Sequence, residues 1–330
     1  MSEAIKDSDK GHWVNRSPLS VRPFLQLSRL DRPVGYWLLA LPGWIGLAFA
    51  TLSHGFAVSD LKWAMLILIG AIAMRGAGCT YNDIVDQDLD RQVERTALRP
   101  LPAGTITTKQ AWIWLLAQCG VGLIVLLCLP RLAQIISLCS IPLVAAYPFM
   151  KRITWWPQLW LGLTFNWAIL VVYAAKTGTV SLPLFILYTG LIFWTVGYDT
   201  IYACQDIDDD MKIGVKSTAR RFGKWIKLAV GLTYGLSIIC SILAIKLEIP
   251  DIKLNIKDET IAVSLELLIY GVPSAFGMHL LFQTIGFNPH KASSALHHFK
   301  SNVWAATYFI LGLLMAGYFF IQVDLLLQAN

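Results

Sequence analysis

The chain contains nine apolar runs, each long enough to cross a membrane as a helix. A helix needs about 20 apolar residues to span the hydrocarbon core. Inside lipid every backbone polar group must find a partner within the protein, which favours helices. The runs cover approximately residues 34–53, 61–80, 111–130, 132–150, 157–175, 182–203, 225–246, 261–285 and 303–322. The sequence therefore predicts an all-α, polytopic membrane bundle of about nine transmembrane helices.

The composition agrees with a membrane protein and predicts one large domain. Hydrophobic residues make up 56% of the 330 residues and charged residues only 15%, whereas soluble domains are about 25% charged. We expect a transmembrane domain at 34–330, preceded by an N-terminal cytoplasmic segment at 1–33. The stretch RPFLQLSRLDRP at the end of this segment mixes basic and apolar residues, as interfacial helices do.

The distribution of lysine and arginine predicts the orientation. With the N-terminus in the cytoplasm, 20 of these residues lie inside and six outside, in agreement with the positive-inside rule. This bias accounts for the net charge of +6 without a nucleic-acid partner. The N-terminal residues have no apolar core and carry acidic side chains, which argues against a signal or transit peptide. We expect a bacterial inner membrane, with the C-terminus in the periplasm.

Two acidic clusters follow the second and sixth apolar runs. Asn82, Asp86 and Asp90 are spaced four residues apart, and so are Asp206 and Asp210. On a continuing helix such residues share one face, where like charges are destabilising unless a cation offsets them. Mg²⁺ prefers carboxylate oxygens together with substrate phosphates. The clusters therefore predict two catalytic Mg²⁺ sites against a shared polyphosphate, with solvated loop carboxylates as the alternative.

The two clusters also share a short sequence pattern. Residues 82–86 and 205–209 both read amide, Asp, Ile, any residue, Asp. Four apolar runs separate them. This pattern indicates an internal duplication, with two pseudo-repeated four-helix units.

Two further charges lie deeper in the apolar runs. Arg75 precedes Asn82 by seven residues, and Asp199 precedes Asp206 by seven. Seven residues are about two helical turns, so each lies on the face of its cluster. Charged residues within a membrane usually face an internal cavity and have a function. We expect both to line a cavity beneath the metal sites, and the alternative is a structural ion pair between them.

Basic residues accompany the acidic ones on the same side of the membrane. Arg99 ends the first loop, YPFMKR ends the fourth run, and Lys216 follows the second cluster. Phosphate groups require such donors. The predicted diphosphate-binding residues are Arg99, Tyr147, Lys151, Arg152 and Lys216. Anchoring by the positive-inside rule is the alternative for each.

Together these features indicate a substrate with a diphosphate head and a long apolar tail. Metal ions neutralise the diphosphate and make it a better leaving group. Its departure leaves an allylic carbocation, which a dry pocket shields from water. An electron-rich acceptor then attacks the cation.

Five segments resemble those of the UbiA superfamily of intramembrane prenyltransferases. NDIVDQDLDRQVERTALRPLPAG resembles its first aspartate motif, and YDTIYACQDIDDDMKIGVKSTARRFG resembles its second. LSRLDRPVGYWLL, AYPFMKR and FKSN also fit, and the resemblance runs from residue 24 to about 322. It implies a nine-helix bundle that depends on Mg²⁺. By motif position Asn82, Asp86 and Asp90 bind one ion, and Asp206 and Asp210 the other.

Within the superfamily, the combination is most similar to enzymes that prenylate 4-hydroxybenzoate for ubiquinone biosynthesis. This similarity implies a polyprenyl diphosphate and 4-hydroxybenzoate as substrates, with transfer to the ring carbon next to the hydroxyl. Arg75 matches a basic cavity position suited to the benzoate carboxylate or to the diphosphate. Ala97 departs from the family pattern, since many relatives have lysine there. Homogentisate, a naphthoate, haem or a polyketide phenol are alternative acceptors, and a cation-coupled transporter is the alternative outside the superfamily.

Overall fold

The computed structural model describes residues 11–92, 96–249 and 259–329. Throughout this part the chain is helical, with no β-strand. Residues 1–10 of the expected N-terminal segment lie outside the described residues, as do Arg95, Lys253 and Lys257 of the charge count. The α-helices are α1 (Trp13–Arg16), α2 (Arg22–Leu27), α3 (Val34–His54), α4 (Ser59–Val85), α5 (Gln87–Asp90), α6 (Thr108–Leu127), α7 (Arg131–Cys139), α8 (Ile141–Ile153), α9 (Pro157–Phe165), α10 (Ala168–Thr177), α11 (Leu182–Ala203), α12 (Ile207–Ile213), α13 (Thr218–Phe222), α14 (Ile226–Glu248), α15 (Glu259–Gly286) and α16 (Ala292–Ala329).

The predicted number of spans is confirmed within the described ranges. Nine helical segments there are long and apolar enough to cross a membrane. The run predicted at 182–203 coincides with α11, whereas the run at 303–322 is only the middle of the 38-residue α16. Hydropathy marks the apolar part of a helix and does not detect polar turns that continue it. The all-α multi-pass architecture follows.

The fourth and fifth spans are each broken, where the sequence predicts one helix. Helix α7 ends at Cys139, and α8 begins at Ile141 with a proline in its first turn. Proline lacks the N–H that would continue the helical ladder. In the fifth span the break follows Asn166, whose Nδ2 donates to the Leu191 carbonyl and to Thr195 Oγ1. A neighbouring helix thus accepts the hydrogen bonds of the Asn166 amide N–H groups at the break.

The chain divides into two compact units. The first comprises Met1–Ala40 and Leu66–Leu129, and the second Leu41–Met65 and Pro130–Asn330. In the first unit α4 and α6 approach closely through small residues. A Cβ on Gly76 would overlap Gln118 Oε1, so a larger residue there would displace this buried amide. Small residues at helix contacts are typical of membrane bundles.

The second unit uses the same kind of contact between α11 and α14. A Cβ on Gly197 would lie 2.3 Å from the Tyr234 ring, and one on Gly190 would lie 2.8 Å from Cys240 Cβ. At the loop end of α11, Thr200 Oγ1 and Thr218 Oγ1 are 2.6 Å apart. This contact fixes the segment after the second acidic cluster to α11.

A buried carboxylate joins four helices of the second unit at the end where α11 begins. Glu248 accepts hydrogen bonds from Ser53 Oγ, from the Tyr173 hydroxyl at 2.8 Å and from Ser181 Oγ at 3.4 Å. We expect Glu248→Ala to lower the free energy of unfolding by about 2 kcal/mol, because buried donors lose their acceptor. Glu248→Gln keeps an acceptor oxygen and is the control. Thermal unfolding in detergent measures both, and an equal loss in the two variants would contradict this role.

Candidate active site

The first acidic cluster lies where α4 ends in a turn. Asp86 has φ −99° and ψ 8° and precedes the short helix α5. The i to i−4 pattern nevertheless continues: the Asp86 N–H donates to Asn82 O at 2.9 Å, and the Asp90 N–H donates to Asp86 O at 2.8 Å. Asp86 is fully buried and Asp90 is 7% exposed, which excludes the reading of solvated loop carboxylates for this cluster. The expected continuous helix is therefore interrupted at Asp86, although its hydrogen-bond spacing is kept.

The second acidic cluster has the same local backbone. Asp206 has φ −115° and ψ 7° and precedes α12. The Asp210 N–H donates to Asp206 O at 2.8 Å. The backbone thus pairs Asp86 with Asp206 and Asp90 with Asp210. The shared sequence pattern of residues 82–86 and 205–209 instead aligns residue 86 with residue 209. The two alignments therefore differ by three residues.

The donor atoms of both clusters suit a hard divalent cation. The first offers one amide oxygen and two carboxylates, and the second offers two carboxylates. Among the described residues no three His, Cys, Asp or Glu side chains converge on one metal position. Mg²⁺ is usually held by one or two carboxylates, and waters and substrate phosphates complete its octahedron. The residues present therefore fit Mg²⁺ that is bound together with a phosphate ligand.

Arg99 contacts the first cluster directly. Its Nη1 lies 2.8 Å from Asp90 Oδ2 and 3.5 Å from Asp83 Oδ1. Asp83 is 1% exposed and accepts from Arg29 Nη2 at 2.7 and 2.8 Å. Burial alone would lower the pKa of Arg29, but the Asp83 carboxylate raises this pKa well above its ordinary value. Four charges therefore form one series of ion pairs. Arg29 and Asp83 lie in segments that resemble the family, but the sequence did not indicate that they contact each other.

The loop after the second cluster is held against the end of α8. The Lys216 N–H donates to the Lys151 carbonyl at 3.0 Å, and Lys216 Nζ donates to the Ile153 carbonyl at 3.0 Å. Two of the predicted phosphate-binding lysines are thus neighbours, and the ammonium of one caps a helix C-terminus, where a cation is favourable. Arg220 was not predicted; its Nη1 donates to the Asp210 carbonyl at 3.1 Å and so closes this loop.

The remaining predicted residues lie on α4, α8 and α11. Tyr147 and Lys151 are one turn apart on α8, where both are partly buried, and Arg152 is exposed. Asp199 is partly buried on α11. Arg75 is partly buried on α4. That Arg75 and Asp199 line a cavity beneath the metal sites stays a prediction, with an ion pair between them as its alternative.

Glycine makes room for the Arg75 guanidinium in the first unit. A Cβ on Gly35 would lie 2.7 Å from Arg75 Nε and 3.0 Å from Nη2. Such distances are closer than van der Waals contact allows. The absence of a Cβ at Gly35 therefore leaves the space that this guanidinium occupies, and the sequence contains no local signal of it.

A buried thiol lies two residues before the second cluster. Cys204 is buried and its Sγ donates to the Thr200 carbonyl at 3.3 Å. Burial raises the pKa of this thiol to about 12. The oxygen donors of the cluster are the ligands that suit a hard cation such as Mg²⁺.

Comparisons with known proteins give one consistent family. The model of the UbiA prenyltransferase family matches residues 39–250. The chain is 39% identical over 318 residues to the mitochondrial 4-hydroxybenzoate polyprenyltransferase of Rattus norvegicus, covering 92% of this chain and 77% of that one. It is 49% identical over 220 residues to the Homo sapiens protein of the same name, covering 64% of this chain. This match spans 57% of the human relative's length.

Solved structures of the same family share the fold. A UbiA homolog from Aeropyrum pernix K1 matches with a TM-score of 0.61 and 21% identity, covering 88% of this chain and 98% of that one. A UbiA homolog from Archaeoglobus fulgidus, bound to GPP and Mg²⁺, matches with a TM-score of 0.62 and 17% identity, covering 90% and 99%. At these identities the likeness shows the fold alone.

Proposed function

Because the chain belongs to the UbiA prenyltransferase family, we propose that it transfers a polyprenyl group to 4-hydroxybenzoate. The donor is a polyprenyl diphosphate and the product carries the chain on the ring carbon next to the hydroxyl. The allylic C–O bond to the diphosphate breaks, the new C–C bond forms, and the ring carbon releases its proton. In ubiquinone biosynthesis this step gives the quinone precursor its lipid tail.

The repeated aspartate turn is the observation that carries the reaction class. Each turn places a carboxylate at the start of a short helix and a second carboxylate four residues later. The carboxylates of each turn suit one divalent cation that is bound together with a phosphate group. The identity of the acceptor is inferred from other evidence, namely the name of the relatives and their 39% and 49% identity to this chain.

We propose Mg²⁺ as the cofactor, with Asn82, Asp86 and Asp90 holding one ion and Asp206 and Asp210 the other. When bound, the ions neutralise the diphosphate so that it leaves more readily. The homolog from Archaeoglobus fulgidus that is bound to GPP and Mg²⁺ supports the choice of metal.

The basic residues have complementary roles in the proposal. Arg99, Lys151, Arg152 and Lys216 supply positive charge to the diphosphate, and the Tyr147 hydroxyl donates a hydrogen bond. Charge-assisted hydrogen bonds of this kind are about twice as strong as neutral ones. They hold the diphosphate while the apolar tail stays in lipid or between helices.

Arg75 is proposed to bind the benzoate carboxylate. It lies seven residues before Asn82 on α4, hence about 10 Å deeper along the helix. A guanidinium at that depth selects an anionic acceptor, and Asp199 is proposed to line the same kind of cavity. Homogentisate, naphthoate, haem and polyketide phenols stay as alternative acceptors, whereas the transporter alternative has no support from the family.

The chain is a multi-pass membrane protein, and we propose that both aspartate turns face the side richest in lysine and arginine. This places the N-terminus in the cytoplasm and the C-terminus in the periplasm of a bacterial inner membrane. The curated relatives are named as mitochondrial, and for a mitochondrial protein the basic side would be the matrix. Cysteine labelling of the loops in intact cells or organelles would distinguish the orientations.

Purified protein in detergent tests the function. We would supply labelled 4-hydroxybenzoate and geranyl diphosphate with Mg²⁺ or with EDTA, and expect a prenylated benzoate only with Mg²⁺. Product in EDTA would contradict the metal assignment. If folded protein gives no product with Mg²⁺, 4-hydroxybenzoate is the wrong acceptor, and homogentisate and naphthoate are tried under the same conditions.

A further inference from the structure

The ion pairs at the first aspartate turn form a chain in a fixed order. Arg29 is bonded to Asp83, Asp83 lies 3.5 Å from Arg99, and Arg99 is bonded to Asp90 at 2.8 Å. All four side chains belong to the first unit, and each is mostly or fully buried. With two positive and two negative charges, these four side chains together are neutral. Only Asp90 among them is a proposed metal ligand.

The backbone conformation of Arg29 is unfavourable for a residue other than glycine. Arg29 has φ 55°, the left-handed region. It follows the C-cap of α2, where the Arg29 N–H donates to Gln26 O and the Leu30 N–H donates to Leu25 O. This is the Schellman arrangement, and its left-handed position is usually glycine. An arginine in strained backbone indicates that its side chain is needed there.

We propose that Arg29 and Asp83 are positioning residues that give Arg99 a second carboxylate to contact when a divalent cation takes Asp90. This inference rests on the proposed function, since it assumes that Asp90 binds the metal. Without a cation, Arg99 neutralises Asp90. With a cation on Asp90, Arg99 is repelled from it and moves toward Asp83, where it stays available to the diphosphate.

The exchange of partners requires only a small movement of the Arg99 side chain. Arg99 Nη1 is already 3.5 Å from Asp83 Oδ1, so a shift of less than about 1 Å brings it to the usual hydrogen-bond distance. Asp83 cannot follow Arg99 outward, because both its oxygens are held by Arg29 Nη2. Arg29 is held in turn, since its Nη1 donates to the Gln26 carbonyl at 3.1 Å.

Binding of Mn²⁺ alone, followed by electron paramagnetic resonance on the full chain in detergent, tests this role without turnover. The Asp206→Ala background limits the titration to the first turn. We expect Asp83→Asn to weaken Mn²⁺ binding about tenfold, as loss of a residue behind a metal ligand commonly does. Among the described residues, Arg99 then keeps Asp90 as its carboxylate partner and competes with the ion. In an Arg99→Ala background the effect of Asp83→Asn should vanish, and an undiminished effect there would overturn the proposal.

Arg29→Gly provides a second test, in which Mn²⁺ binding is expected to become tighter and not weaker. Glycine suits the left-handed backbone, so this variant is the one expected to fold. Without Arg29, Asp83 attracts Arg99 more strongly, and Mn²⁺ binding to Asp90 should tighten about threefold, a typical size for one partly screened charge. Unchanged or weaker binding by Arg29→Gly, in protein whose thermal unfolding in detergent matches that of the unaltered chain, would overturn the proposal.

Failure of the metal assignment and failure of the positioning role give different results. If Asp83→Asn does not fold, Arg29→Gly/Asp83→Asn replaces it and is compared with Arg29→Gly. If the starting protein binds no Mn²⁺ at millimolar concentration, the metal assignment of the proposed function fails, and the positioning role with it. If it binds Mn²⁺ but the signs differ from those expected, only the positioning role fails.

Discussion

Alanine at Asp86 is expected to lower turnover about a thousandfold, while the protein still inserts and folds. Asp86 is fully buried at the turn after α4 and is the central donor of its cluster. Removal of one preorganised electrostatic group from an active site commonly costs about a hundred- to a thousandfold in rate. A thousandfold corresponds to about 4 kcal/mol of transition-state stabilisation. Product formation at saturating Mg²⁺ measures the loss.

The same loop contains a matched control. Asp88 lies between the proposed ligands, but its side chain is 93% exposed and lies 3.4 Å from Arg91 Nη1 in an ion pair at the surface. We expect Asp88→Ala to keep turnover within about twofold, because exposed ion pairs contribute little. In the second turn Asp206→Ala should behave as Asp86→Ala, with exposed Asp208 as its control. Near-normal turnover of Asp86→Ala would refute the metal assignment.

The membrane architecture was predictable because lipid leaves a chain few choices. A run of about 20 apolar residues in a bilayer must satisfy its own backbone, and a helix does so locally. Length and hydropathy therefore located all nine spans within the described residues. The turns at Asp86 and Asp206 were not predicted, since both carboxylates fit a helical spacing. Nor were the breaks after Cys139 and at Asn166. The second involves bonds to a neighbouring helix, whereas the first lies beside Pro142, which the sequence does show.

The candidate site was predictable only as far as local spacing reaches. The acidic clusters stand out because like charges recur at four-residue intervals beside apolar runs. The bond between Arg29 and Asp83 joins residues 54 positions apart, and no periodic pattern links them. The space that Gly35 leaves for Arg75 likewise depends on how α3 and α4 pack within the first unit. Tertiary contacts decide such features, so a single sequence carries no signal of them.

Arg75→Ala is expected to raise KM for 4-hydroxybenzoate about a hundredfold and to leave KM for the prenyl diphosphate within about threefold. A hydrogen-bonded guanidinium–carboxylate contact contributes up to about 3 kcal/mol, which corresponds to roughly a hundredfold in affinity. The neutral analogue 4-hydroxybenzamide lacks the carboxylate. It should be a poor acceptor for the unaltered protein, and Arg75→Ala should abolish the preference for the benzoate. A rise in KM for the diphosphate instead would assign Arg75 to that group. If neither KM changes, a structural pair with Asp199 is favoured.

Gly35→Ala tests whether the position of this guanidinium matters as well as its charge. The added Cβ would lie 2.7 Å from Arg75 Nε, so the guanidinium must move while its charge is retained. We expect KM for 4-hydroxybenzoate to rise about tenfold, since a misplacement of about 1 Å can cost up to a hundredfold in a positioned site. Gly78→Ala on α4 is the control, because a Cβ there meets no atom within 4 Å. If Gly35→Ala raises KM for 4-hydroxybenzoate and Gly78→Ala does not, the space at Gly35 between the packed helices contributes to acceptor selection. Equal effects would attribute the change to helix stability and leave Arg75 acting through charge alone.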